Sequence, residues 1–134
     1  MRPRRLGIGG AILVGLFLVS GTIHLVAPGV FEPIVPHVLP EPRLLVLLSG
    51  VAELVCAVGL LAPRTRRLAG LASCTLLVAV FPANVQMAVD AWQDWSAGEV
   101  GTPYAVATLL RLPLQLPLIW WAWRVTRRNS TLPA

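Results

Sequence analysis

Lysine is missing from this chain altogether and acidic residues number only six, so that even with eleven arginines just 13% of its 134 residues are charged. A water-soluble domain of this length must cover itself with polar groups, and a chain that is 56% hydrophobic has no means of hiding so much apolar surface. Histidine and cysteine are scarce too, with two of each. Cys56 and Cys74 sit far apart inside apolar runs, in neither a CxxC redox motif nor a zinc-type spacing, and they read as small core residues without a disulfide. His24 and His37 fall at different expected depths, which argues against haem ligation. No nucleophile constellation, metal cluster or phosphate loop is present, so no catalytic residue and no metal site is assigned, and the balance leans away from an enzyme.

What remains is apolar sequence punctuated by arginine. A sequence pI of about 11.0 would suit a nucleic-acid binder, but the arginines close apolar runs and form no basic face interleaved with aromatics, so no nucleic-acid partner is expected. Four segments are long and apolar enough to span a bilayer: Leu6 to Ala27, Arg43 to Ala62, Leu68 to Val89 and Tyr104 to Trp123. The first follows a basic N-terminus as a secretory signal would. It runs longer than a signal-peptide apolar region of about 7–15 residues and lacks a small-x-small cleavage site, so it is expected to stay as a helix. The expectation is one all-α domain over 1–134, a polytopic four-helix bundle whose first partner is the lipid bilayer.

Arginine placement orients it. Arg2, Arg4 and Arg5, then Arg64, Arg66 and Arg67, then Arg124, Arg127 and Arg128 fall on one side of a four-pass chain; Glu32, Glu41, Asp90, Asp94 and Glu99 fall on the other with Arg43 alone. The positive-inside rule then predicts cytoplasmic N- and C-termini, and the membrane expected is a bacterial plasma (inner) membrane. Trp92, Trp95 and Tyr104 at one boundary and Trp120, Trp121 and Trp123 at the other fit the aromatic belts. The Pro-rich stretch from Phe31 to Pro40 is expected to cap the outer end, and Gly7, Ala11 and Gly15 offer a close approach to a neighbouring helix of this chain or of a second copy.

Polar side chains inside spans are expensive and need partners. At about 1.5 Å per residue from each outer helix end, His24 lies roughly 6 Å down, Asn84 roughly 8 Å, Arg111 roughly 10 Å and Glu53 roughly 15 Å. Each helix thus gives one polar group to the outer half. Ser49, Gly50, Glu53 and Ala57 share a face of the second helix, as Thr108, Arg111 and Gln115 share one on the fourth. Pro82, Pro113 and Pro117 predict kinks and loosened carbonyls beside Asn84 and Gln115. An ion pair between Glu53 and Arg111 is the simplest way for both charges to tolerate that depth. His24, Glu53, Asn84, Arg111 and Gln115 are therefore first a structural polar layer, with a ligand-binding site the sharper alternative and proton transfer a third.

The blocks Ser20-Gly21-Thr22-Ile23-His24, Phe31 through Pro36 to Leu39-Pro40, Ser49 to Glu53, Gly59 to Arg66, Phe81-Pro82-Ala83-Asn84 and Arg111 to Gln115 resemble, in this order, the DoxX-like family of small membrane proteins. The resemblance implies a four-helix membrane bundle. Members of that family are mixed in role, and some accompany thiosulfate or quinol oxidation systems or associate with thiol and oxidative-stress proteins. With the outer-half polar layer this gives the expectation of an accessory subunit of a membrane redox system that holds a quinone-like ligand as cofactor, with a redox protein or a second copy as partner. The paired cysteines of redox-active relatives are missing here, against direct dithiol chemistry. The alternative is a non-catalytic scaffold whose polar layer is structural and whose outer cap docks a partner.

Overall fold

The structure, a computed structural model, describes residues 5–128; Arg2 and Arg4 of the N-terminal arginine cluster lie outside them. Four helices, α1 (Ile8–Val26), α2 (Pro42–Leu61), α3 (Arg66–Ser96) and α4 (Thr102–Arg128), are joined by a connection holding two 3-10 turns and by two short turns. All four are long and apolar enough to cross a membrane. Helix packs on helix in chain order and α4 returns to α1, closing a ring. Large apolar side chains such as Ile8, Val19, Val55, Leu68 and Leu116 line its outside, the surface expected where lipid is the solvent.

Local chemistry sets the helix ends. Pro42 begins α2 in the position where its missing N–H is harmless. Pro63 forces Ala62 into extended backbone and ends α2 at Leu61. The α2–α3 turn is then fastened: Arg66, buried, donates from Nε to the Leu60 carbonyl at 2.8 Å and from Nη2 to the Leu61 carbonyl at 3.0 Å. An arginine expected only as a topology signal is thus also the C-terminal clamp of α2.

Two helices outrun their apolar segments. α3 was expected to end at Val89 and continues to Ser96, since leaving the hydrocarbon does not itself break a helix. Gln86 Nε2 donates to Asp90 Oδ1 at 2.7 Å one turn on, and the stop comes at Gly98, whose φ of +78° suits the left-handed C-terminal turn. α4, expected to end at Trp123, runs to Arg128, with Arg124 stacked on Trp120 at 4.6 Å and Arg127 near Trp123 at 6.0 Å. Both helices continue through their internal prolines.

The bundle has two unlike halves. Toward the termini it is dry: Leu13, Val14, Phe17, Cys56, Ala57, Leu60, Ala69, Leu77, Ala122 and Val125 form one buried cluster. A β-carbon on Gly59 would lie 2.8 Å from that of Ala69, which measures how tightly α2 and α3 approach there. Toward the other end α1 and α2 stay close, where a β-carbon on Gly21 would meet the Gly50 carbonyl at 2.8 Å. Gly15 has nothing within 4 Å of a β-carbon position, so the expected close approach along Gly7, Ala11 and Gly15 is not made there within this chain. Between the far halves of α2 and α3 the packing opens, and the 28–41 connection folds over the opening as a cap.

A candidate ligand cavity under the cap

A cavity of about 400 Å³ occupies this opening. Leu45, Val46, Leu48 and Ala52 of α2, Leu76, Ala79 and Val80 of α3, and Phe31, Ile34 and Val35 of the cap supply apolar walls. The polar lining is His24, Ser49, Glu53, Asn84 and Arg111. Four of the five sequence candidates therefore border a single space, contributed one from each helix. The fifth, Gln115, stands behind it.

The α1–α2 crossing builds the first polar cluster. His24 and Glu53 each follow a crossing glycine, Gly21 or Gly50, by three residues, and a β-carbon on Gly50 would sit 2.7 Å from that of His24. His24 Nδ1 lies 3.3 Å from Ser49 Oγ and 3.4 Å from Glu53 Oε2. Ser49 gives its own proton to the Val46 carbonyl at 2.8 Å, so toward the imidazole its oxygen accepts and Nδ1 donates. The Phe31 ring meets the imidazole edge to face with centroids 4.2 Å apart, fixing the histidine from the cap side. Glu53 is only 6% exposed, and among the described residues its Oε2 finds no hydrogen-bond donor. The contact with His24 is thus an electrostatic one, and the oxygen keeps unmet acceptor capacity in the cavity wall.

The second cluster ties α3 to α4. Asn84 Nδ2 donates to Gln115 Oε1 at 2.7 Å, and Gln115 Nε2 donates to the Leu77 carbonyl, one residue before the Val78 carbonyl that Pro82 leaves without its helical donor. Gln115 is buried and directs both ends of its amide at α3. Thr108 turns its hydroxyl back to the Ala105 carbonyl, and Gln86 bonds Asp90 and takes no part in the lining.

The Glu53–Arg111 ion pair is not formed: among the described residues Glu53 is paired with His24, and no carboxylate lies within 4.0 Å of Arg111. Helical rotation is the reason, because Glu53 turns to the α1–α2 crossing while Arg111 is exposed at the cavity border, its Nη1 4.0 Å from Met87 Sδ. Depth counting fixes height along the bundle and carries no information on azimuth. Phe31 was placed in the cap by its prolines, but its contact with His24 had no signal in the sequence.

These features define a class: a four-helix bundle with helices long enough to cross a bilayer, dry in one half and holding a capped, polar-tipped cavity in the other. The chain belongs to the family described as Domain of unknown function (DUF8561), whose family model matches residues 13–126. No curated protein and no solved structure matches it.

Proposed function

We propose that the protein is a membrane-embedded binding protein that holds a quinone-like small molecule in the capped cavity, as an accessory subunit of a membrane redox system in the plasma membrane, with both termini cytoplasmic. The observation that carries this reading is the pairing of about 400 Å³ of largely apolar space with a buried Glu53 oxygen that accepts no hydrogen bond from the described residues. Ligand cavities typically have about 300–1,000 Å³, apolar walls and a few convergent polar groups. A ring bearing a hydroxyl and a carbonyl would give Glu53 Oε2 its missing donor and offer Arg111 an acceptor, while the aliphatic walls take the substituents. The DoxX-like sequence blocks support the redox setting, and the arginine distribution supports the orientation.

Native mass spectrometry of the purified protein in lipid nanodiscs tests it. A co-purifying small molecule that is lost when Ala52→Trp fills the cavity is the expected result; identical spectra for the two proteins, both folded, would refute the reading. The second reading, a scaffold whose polar layer holds the fold, draws on Gln115, which bonds only to α3. It expects no retained small molecule and a protein partner, or a second copy, held at the cap.

A further inference from the structure

Arg111 stands apart from the other polar groups of the cavity. His24, Ser49 and Glu53 answer one another, and Asn84 is answered by Gln115. Arg111 borders the same space from α4, is exposed, and among the described residues has only the thioether of Met87 at 4.0 Å. Sulfur of this kind is a weak acceptor, and the guanidinium is a permanent cation with five donors in a planar fork. It lies nine residues into α4, roughly 13 Å below the helix start, where an unpaired charge is costly. Glu53 lies beside His24, and among the described residues no carboxylate lies within 4.0 Å of Arg111, so the guanidinium is a cation of this site without a counter-ion.

Resting on the reading of this space as a ligand site, we infer that its occupant is a lipophilic anion: an apolar body in the cavity and an acidic group, carboxylate or phosphate, held by the Arg111 fork. A charge-assisted, two-point contact away from water is the strongest interaction Arg111 can make, and an acidic group on the ligand supplies it where a ring carbonyl alone would give a single neutral acceptor. The acid can belong to a diffusible amphiphile or to a membrane lipid headgroup; the chemistry at Arg111 is the same.

The test uses the full chain in nanodiscs of phosphatidylcholine and measures equilibrium binding of dodecanoate and of dodecan-1-ol, which differ only in the head, with empty discs subtracted. Wild type is expected to prefer the acid by about tenfold or more. Arg111→Met should abolish that preference and leave alcohol binding unchanged, Arg111→Lys should keep part of it, and Ala52→Trp should remove both ligands. Should Arg111→Met fail to fold, the wild-type preference and the Lys variant still decide. Equal affinity for the two heads, with both lost in Ala52→Trp, would overturn the anion and leave the cavity a ligand site. Failure of both probes to bind wild type would overturn both. Replacing part of the lipid by phosphatidylglycerol separates the sources: competition with dodecanoate marks a lipid headgroup as the natural occupant, and its absence marks a diffusible acid.

Discussion

At the scale of single residues the polar layer is governed by who answers whom. Glu53 and His24 face each other at 3.4 Å across the α1–α2 crossing, and Arg111 answers to neither. A double-mutant cycle on Glu53→Gln and His24→Phe, read by thermal unfolding in detergent, should give a coupling energy of about 0.5–3 kcal/mol, the range for contacting groups. The cycle on Glu53→Gln and Arg111→Met should be additive to within about 0.5 kcal/mol. The opposite pattern would mean that the helices rotate to pair Glu53 with Arg111 after all. The sequence carried the membership of this layer because hydropathy and rise per residue locate a polar group along a helix axis. Its pairing was illegible because helix azimuth depends on Gly21 and Gly50, whose significance appears only when they are seen to meet. One residue is held against its preference: Glu41, φ +51°, occupies the left-handed region just before α2. Glu41→Gly should relieve the backbone by about 1 kcal/mol and raise the melting temperature if the cap keeps its shape.

At the scale of elements, stability rests on three close approaches made where side chains are small: Gly21 with Gly50, Gly59 with Ala69, and Gly70 with Thr126. Without water to drive helices together inside a bilayer, close packing of this sort and interhelical hydrogen bonds do that work. Gly50→Ala puts a methyl 2.7 Å from the His24 β-carbon and 3.0 Å from the Gly21 carbonyl, neither of which is the movable end of a side chain. The α1–α2 pair must part, at a cost of about 1–3 kcal/mol, and the His24–Glu53 contact should go with it. Gly15→Ala meets nothing within 4 Å and should leave monomer stability unchanged or slightly higher. A shift of oligomeric state in Gly15→Ala, seen by native mass spectrometry, would show that this stripe serves a second copy. Helix existence was legible from apolar run length; helix ends were not, because α3 and α4 continue as polar helices beyond the hydrocarbon until Gly98 stops one of them and residue 128 is reached in the other.

At the scale of the whole molecule, four spans were readable because each is an uninterrupted apolar run bounded by breakers or charge, whereas of the cavity only its polar residues in the outer half were, and not its walls or its size. The cavity exists because the fastened 62–66 turn holds α2 against α3 at one end while the cap wedges between them at the other, a consequence of three-dimensional closure with no local pattern. Orientation is the remaining global property, and it decides which aqueous phase the capped half faces. Described arginines Arg5, Arg64, Arg66, Arg67, Arg124, Arg127 and Arg128 gather at the termini end, while Glu32, Glu41, Asp90, Asp94 and Glu99 gather at the capped end with only Arg43, whose Nη1 lies 3.7 Å from Glu32. An excess of arginine in short connections holds its end in the cytoplasm during insertion, and acids contribute little, so the count is one-sided even if every acid is disregarded. Arg66 is committed to capping α2, yet removing it from the count leaves the bias intact. In a background with Cys56→Ala and Cys74→Ala, cysteine substituted for Ser96 at the capped end should react with an impermeant thiol reagent added to intact cells. Cysteine substituted for Thr65, whose hydroxyl bonds the Gly59 carbonyl at 2.9 Å in the turn at the other end, should react only after the membrane is opened. Labelling of Thr65→Cys and protection of Ser96→Cys in intact cells would invert the protein, place the cavity in the cytoplasmic leaflet, and require any ligand to come from that side.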